Sequence, residues 1–176
     1  MKTSSLLSLW VAPFLLLPAL TAAAPDAGVF DALHRFHGHR CGGSILGARL
    51  GAAARSALGD EVSKGKVRAV YYATGCPLDG IQVTTGSTLG NGTIEVKDRK
   101  EMRLRLSVEG VRGAVEARPT ELALALGSES KVLTKKAKGL PQGSPERAEL
   151  EARVAEIFAR LETAPDGEVV LTTLVR

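Results

Sequence analysis

Three glycines recur at four-residue spacing in the segment GSILGARLGAAARSAL, residues 43–58. The small and apolar residues around them predict a helix, and Gly43, Gly47 and Gly51 would share one face of it, which we call the glycine face. Each glycine inside a helix costs about 1 kcal/mol relative to alanine, so three of them need a compensating interaction. The spacing therefore predicts a tightly packed core helix with another backbone against this face. A ligand lying on the face is the alternative.

The flanking segments predict further helices and strands. Asp26 is a suitable N-cap for a first helix, whose apolar stripe consists of Val29, Phe30, Leu33 and Phe36. Residues 66–74 mix β-branched and aromatic side chains, which favours a strand. Apolar and charged residues alternate over 93–108 and 113–119, which predicts an antiparallel ribbon with one wet face.

The remaining segments complete an α+β pattern. A short helix is predicted over 78–83, and Ser144 followed by Pro145 is typical of the start of a long helix. Residues 168–176 predict a closing strand, whereas the lysine-rich stretch 131–144 predicts an exposed basic loop. This order predicts a single α+β domain over 24–176, in which N-terminal helices pack on a mixed or antiparallel sheet.

Residues 1–23 have the pattern of a secretory signal peptide. Lys2 precedes the apolar run LLSLWVAPFLLLPAL, and the small residues TAAA follow it. The run is about 15 residues long, too short for an untilted bilayer span. No cysteine lies near the cleavage site, which argues against a lipid anchor. The sequence thus predicts an exported domain, periplasmic or secreted, without a membrane partner after cleavage.

The charge pattern argues against nucleic acid as a partner. The formal net charge is only +4, and the basic residues are spread among acidic ones. Aromatic residues make up 4% of the chain, and its one Trp lies within the predicted signal. Neither an electrostatic footprint nor a stacking surface for bases is present.

The segment FHGHRCGG, residues 36–43, brings His37, His39 and Cys41 together at a period of two. Their side chains would lie on one side of an extended segment, and a bend at Gly38 would let them converge on one ion. Neutral imidazole and thiolate are ligands that zinc prefers, although thiolates also suit copper(I). The spacing therefore indicates a transition-metal site.

Cys76 is the second cysteine of the chain. Three interpretations of the segment around the two cysteines remain open. Cys76 can join the three motif residues in a two-His, two-Cys metal site. It can instead form a disulfide with Cys41, as a structural bond or in thiol–disulfide exchange; that bond would close a loop of about 35 residues and stabilise the fold by about 3–4 kcal/mol. The third interpretation is a module that binds a small anionic or tetrapyrrole-like ligand.

Polar residues follow Cys76 at helical spacing. Asp79 and Gln82 lie three residues apart and would share a helix face. Asp79 can orient a ligating histidine, serve as a fourth ligand, act as a general base, or simply cap the helix. The Thr- and Gly-rich segment 84–92 offers hydroxyl and backbone N–H groups to an anion. Since it lacks the lysine and spacing of a P-loop, a tight turn is the favoured interpretation.

Two sequence blocks, FHGHRCGGSILGARLG (36–51) and TGCPLDGIQVTTGSTLGNGTIEV (74–96), resemble the signature blocks of a known family. This is the FmdE family, named after one component of formylmethanofuran dehydrogenase. Its pattern is similar to His-Gly-His-x-Cys-Pro-Gly, then a small-residue helix, then Cys-x-x-Asp-(Ala/Gly)-Ile-Gln before a Thr/Gly-rich turn. The occurrence of both blocks in order makes the resemblance specific.

The resemblance implies a site and a function. It implies four metal ligands, namely His37, His39, Cys41 and Cys76. It implies that Asp79, Gln82 and Arg49 lie at the same pocket. We predict a catalytic, proton-handling role for Asp79 in an enzyme, and cofactor-binding roles for Arg49, Gln82 and Thr85. Family members have an α+β core, are often dimeric and bind metal, so the expected protein is an exported zinc-binding homodimer. It would act as a metal-dependent enzyme or as a metal carrier or sensor for a small molecule or metal ion.

Three departures from the family pattern bear on this expectation. Gly42 replaces the usual proline after Cys41, and Asn91 stands where a lysine is common, which weakens the case for anion binding by the turn. The cysteine-rich zinc ribbon at the C-terminus of some members does not occur in this sequence. Any metal is therefore expected in the core site.

Overall fold

The computed structural model describes residues 24–176, so the predicted signal peptide at 1–23 lies outside the described residues. Within 24–176, no helix combines the length and the apolar character needed to cross a membrane.

Helices and strands alternate irregularly along the chain. The helices are α1 (Ala27–His37), α2 (Gly42–Leu58), α3 (Pro77–Thr85), α4 (Glu121–Lys138), α5 (Pro145–Thr163) and the short α6 (Asp166–Val169), and a 3₁₀ helix occupies Gly59–Ser63. The strands are β1 (Val67–Tyr71), β2 (Ile94–Val96), β3 (Leu104–Val108), β4 (Ala114–Pro119) and β5 (Val170–Val175). The helices pack on this five-stranded sheet in one domain, which confirms the predicted α+β fold class.

The sheet has the order β2-β1-β3-β4-β5, with a parallel β1–β2 pair and antiparallel pairs elsewhere. Ala69, Leu106 and Val115 stand side by side across the three central strands and are buried. The opposite face carries polar side chains such as Arg105 and Glu116, which are paired neighbours. The wet-faced antiparallel ribbon is therefore confirmed for β3 and β4. Its extension to residues 93–96 was wrong, because β2 pairs in parallel with β1 at the sheet edge.

Helix α2 lies at the centre of the domain, between the sheet and the other long helices. Helix α3 packs on its glycine face so closely that a Cβ added to Gly47 would collide with the Pro77 carbonyl group. The contact is reciprocal, because a Cβ on Gly80 of α3 would strike the Ser44 carbonyl and the Ala48 amide. The predicted backbone against the glycine face is thus confirmed, and it is helix α3.

Two helix predictions need correction. The Asp26 cap is confirmed, since its Oδ1 accepts the Gly28 N–H at 3.3 Å, but the buried stripe of α1 ends before Phe36, which is 60% exposed. The basic segment 131–144 was wrongly predicted as a loop, because α4 continues to Lys138. Buried residues on the inner side of this helix, including Ala137, hold its lysine-rich end against the domain.

Candidate metal centre and the adjoining cavity

The three motif residues converge at the junction between α1 and α2. Gly38 ends α1 in the left-handed region, at φ 85°, and its N–H donates to the His34 carbonyl. The chain therefore reverses after His37 instead of running extended. One ligand atom each from His37, His39 and Cys41 lies within 4.8 Å of the others. These three residues are called the His/Cys cluster below.

The two ring nitrogens of His37 have different partners. Its Nδ1 lies 2.6 Å from Oδ2 of Asp79, whereas its Nε2 lies 3.4 Å from Sγ of Cys41. Burial lowers the pKa of His37, but the hydrogen bond to Asp79 and the proximity of Cys41 more than offset it and raise the pKa. Asp79 thus holds the imidazole with Nε2 directed toward the cluster, as carboxylates do behind many metal-bound histidines.

Cys41 is the N-cap of α2. Its Sγ accepts the Ser44 N–H at 3.3 Å, which satisfies one of the free N–H groups of the first helical turn. Burial raises the pKa of the Cys41 thiol, but hydrogen bonds with Ser44 and with Cys76, together with nearby His37, bring the net shift downward. The thiolate, which is the form that binds metals, is therefore favoured at this position.

Cys76 lies directly before α3 and is exposed. It stands beside Cys41 across Gly43, since a Cβ added to Gly43 would lie 3.1 Å from the Cys76 Cβ and 3.9 Å from the Cys41 Sγ. Both cysteines are free thiols. Burial and the neighbouring Cys41 raise the pKa of Cys76. Cys76 is thus adjacent to the His/Cys cluster without belonging to the tight three-residue group.

Arg49 has its hydrogen-bonding partners elsewhere. It is fully buried in α2, and its guanidinium donates to the carbonyls of Leu161 and Ala164 at 2.8 and 2.6 Å and to Asp166 at 2.8 Å. These contacts close the C-terminal end of α5, where carbonyl groups have no helical partner. They give Arg49 a structural function, and a cofactor-binding role for it stays a prediction.

The side chains of Gln82 and Thr85 both form hydrogen bonds with the turn that follows α3. The Gln82 Oε1 accepts the Leu89 N–H at 3.1 Å, and the Thr85 hydroxyl donates to Ile81 and accepts from Ser87. Neither side chain lies in the His/Cys cluster, and their binding roles also stay predictions.

Within the same turn the side chain of Asn91 bonds its neighbours. Its Oδ1 accepts N–H groups from Thr88 and Thr93, and its Nδ2 donates to the Gly86 carbonyl at 2.9 Å. Other polar groups of the segment 84–92 bond to helix α3 and to Val67, so the segment is a hydrogen-bonded turn, which agrees with the favoured interpretation as a tight turn.

A cavity of about 770 Å³ adjoins the His/Cys cluster. Its walls are the start of α2, the end of β1, one side of α4 and the loop between β2 and β3. His39, Cys41 and Cys76 border it. Cavities of this size take typical small-molecule ligands.

Sequence reasoning missed the residues that α4 contributes to this cavity. Lys131, Lys135 and Lys138 all border it, at spacings of four and three residues. Such spacing places side chains on one helix face, and it was the signal that could have identified them. Buried Tyr71 at the end of β1 also borders the cavity and was not singled out by sequence reasoning.

Comparison with known proteins identifies relatives of this chain. The family model described as "FmdE, Molybdenum formylmethanofuran dehydrogenase operon" matches residues 36–171. A curated protein from Archaeoglobus fulgidus, named a probable S-adenosyl-L-methionine-binding protein, is 35% identical over a 95-position alignment that covers 44% of this chain and 26% of that protein. The chain thus spans about a quarter of the length of that relative.

A solved structure has a similar fold. It is that of an FmdE-like protein of the tungsten formylmethanofuran dehydrogenase type from Syntrophus aciditrophicus, with a TM-score of 0.56 over 85% of this chain and 71% of that chain. The sequence identity is 17%, so the likeness concerns the fold alone.

Proposed function

The chain belongs to the FmdE family, and we propose that its His/Cys cluster binds one transition-metal ion, with zinc as the first candidate. The observation that carries this proposal is the convergence of two imidazoles and one thiol within 4.8 Å, in a chain with only three histidines and two cysteines. Nitrogen and sulfur donors of this kind match the preferences of zinc. Cys76, next to Cys41, is proposed as a fourth ligand.

The surroundings of the cluster support a metal-binding role. His37 is held by Asp79 so that Nε2 is the nitrogen left to coordinate, and the position of Cys41 at a helix N-terminus favours its thiolate. Asp79 thus fixes which nitrogen of His37 faces the cluster, and the helix N-terminus supports the deprotonated cysteine that metal binding requires.

The chemistry open to the cluster follows from its access to the cavity. A zinc ion held by the three residues of the His/Cys cluster alone would keep an open coordination position and supply Lewis acidity there toward a ligand or water, whereas Cys76 as a fourth ligand would close that position. Among the protein's own groups, Asp79 holds the proton on Nδ1 of His37 and keeps the ring in place. A metal carrier or sensor would use the same ligands without a chemical step. We propose that the domain functions outside the cytoplasm, on the basis of residues 1–23.

A thiol–disulfide function is the second candidate. The side chains of Cys41 and Cys76 both lie beside Gly43, and an oxidising compartment would allow them to bond. In that case the two thiols would be consumed and His37 would serve only to tune the pKa of Cys41.

Metal and thiol content measured together distinguish the two candidates. The protein is purified without chelator or reductant, its metal is determined by elemental analysis, and its free thiols are counted after unfolding. About one equivalent of metal with two free thiols is the expected result, because the described residues bring together one set of ligands. Protein with neither metal nor free thiols would contradict the metal proposal and support the disulfide.

Asp79→Asn is expected to weaken metal binding without removing a ligand. The amide retains the size of the side chain but loses the charge that orients His37, and such changes behind a ligand typically cost about 10–100-fold in metal affinity. Competition with a chromophoric chelator measures the effect. Asp60→Asn, at an exposed site in the 3₁₀ helix, is the matched control and should leave the affinity unchanged. Equal metal affinities of the two variants would contradict the proposed role of Asp79 in orienting His37.

A further inference from the structure

Apart from the His/Cys cluster and Cys76, the charged side chains that border the cavity carry charge of one sign. Four lysines border it, Lys100, Lys131, Lys135 and Lys138, whereas no aspartate or glutamate of residues 24–176 does. The lysines that form ion pairs within the described chain are Lys64 and Lys97 instead. Arg40 also borders the cavity, but Glu162 pairs with it at 2.7 Å. The four lysines thus leave an uncompensated positive potential at the cavity.

The α4 lysines form a row that begins near the cluster. The start of α2 touches α4 at Ser130, since a Cβ added to Gly42 would lie 2.7 Å from the Ser130 hydroxyl oxygen. Lys131 is the next residue, and Lys138 lies about 10 Å further along the helix at a rise of 1.5 Å per residue. An elongated ligand could therefore meet positive charge along its whole length.

The interior of the cavity suits an apolar body. Leu46, Met102, Leu124 and Phe158 contribute to its walls. Tyr71, which is fully buried, also borders it, and the Tyr71 hydroxyl has no hydrogen-bond partner within residues 24–176. An unsatisfied buried hydroxyl is unfavourable. The hydroxyl oxygen is closed to solvent, so it is an unpaired polar group within the wall of the cavity.

Lys100 adds an independent indication. It has a φ of 57°, the one positive φ outside glycine among the described residues. The left-handed region is unfavourable for a residue with a Cβ, and such residues cluster at ligand sites. Its N–H is held by Oδ1 of Asp98 at 3.3 Å. This strained loop between β2 and β3 places a further lysine at the cavity, on a different element from the α4 row.

We propose that the cavity binds an organic anion that has an apolar body and at least two negative charges, and holds it beside the His/Cys cluster. The lysines bind the charged groups, and the apolar walls contact the body of the ligand. The inference deepens the proposed function and rests on it, because the bound anion is taken as the molecule that the metal acts upon.

The proposal is tested by calorimetric titration of the metal-loaded full-length protein with compounds that share one aromatic body. Naphthalene-2,6-dicarboxylate should bind, 2-naphthoate should bind more weakly, and neutral 2-naphthol should give no measurable binding. Replacing Lys131, Lys135 and Lys138 together by glutamine should lower the affinity for the dicarboxylate at least about tenfold. Hydrogen bonds between charged groups are stronger than those between neutral groups. Glutamine has a helix propensity close to that of lysine, so α4 should be retained.

In the control variant, glutamine replaces Lys64, Lys66 and Lys136. These lysines do not border the cavity, and the variant loses the same net charge. Its affinity for the dicarboxylate should equal that of the wild type. Absence of dicarboxylate binding, or equal weakening in both triple variants, would overturn the proposal. S-adenosyl-L-methionine is titrated as well, and tighter binding of this sulfonium cation than of the dicarboxylate would also overturn it.

Elemental analysis of the same samples separates this inference from the proposed function. The Lys131/Lys135/Lys138 variant should retain the wild-type metal content, because lysine is not among the ligands. A metal-free wild type that still binds the dicarboxylate through these lysines would contradict the metal proposal and with it the role of the anion at the metal. A metal-bound protein indifferent to the dicarboxylate would contradict the anion site alone.

Discussion

Replacing Cys41 by serine should reduce metal affinity at least about a thousandfold. This loss is larger than the one expected for Asp79→Asn, because Cys41 is itself a ligand and Asp79 only orients one. The serine hydroxyl can still accept the Ser44 N–H and cap α2, since serine is a good N-cap residue. The thiolate, which is both a ligand and a charge near the two imidazoles, is lost. Chelator competition gives the affinity, and circular dichroism reports whether the fold is retained.

Cobalt(II) substitution gives a direct readout of the same change. A cobalt–thiolate bond produces charge-transfer absorption in the near ultraviolet, which Cys41→Ser should diminish or abolish. Cys76→Ser is the matched comparison, and a smaller loss of affinity is expected because Cys76 lies outside the three-residue group. A Cys41→Ser protein with wild-type affinity would contradict the ligand assignment. A purely structural disulfide predicts instead that the two serine variants are equally destabilised and that neither changes metal content.

Gly80→Ala should lower the free energy of unfolding by about 3 kcal/mol or more, because one added methyl group has no space. It would meet the Ser44 carbonyl, the Ala48 amide and the Gly47 carbonyl carbon, all of which are main-chain atoms of α2. Flexible side chains can rotate away from such a contact, whereas a helix backbone has to move as a whole. Urea unfolding followed by circular dichroism measures the change.

Gly28→Ala provides the control for helix propensity. The added Cβ in α1 would have Asp26 as its nearest neighbour, at 3.9 Å, so the substitution should leave stability unchanged or raise it by up to about 1 kcal/mol. Gly80→Ala should also weaken metal binding, since it displaces the helix that carries Asp79. A Gly80→Ala protein as stable as the wild type would show that α2 and α3 do not touch through their backbones.

Local patterns were sufficient to predict the parts of the fold that depend on neighbouring residues. The glycine spacing predicted a backbone contact because only a missing Cβ permits it, and α3 supplies that contact. Ser144 and Pro145 predicted the start of α5, where the Ser144 hydroxyl oxygen accepts the Arg147 N–H at 3.3 Å. The convergence of the motif residues also followed from the sequence, because Gly38 could reverse the chain.

The errors arose where distant residues decide the structure. The lysine-rich end of α4 has few apolar side chains, and Gly127 interrupts the pattern before it, so its helical conformation depends on packing against the rest of the domain. The parallel pairing of β2 with β1 depends on the path of α3 between them. The partners of Arg49 lie more than 100 residues away along the chain, and no local spacing reveals them.

The cavity has one wall that is difficult to alter and one that is easily altered. The junction of α2 and α3, which carries Cys41, Cys76 and Asp79, is held by main-chain contacts at Gly47 and Gly80. The wall on the α4 side includes the exposed side chains of Lys131, Lys135 and Lys138. Substitutions of these exposed lysines can therefore change what the cavity accepts while the ligand geometry stays fixed. Such a division would let one scaffold acquire new specificities, and it recommends α4 as the segment to randomise in directed evolution.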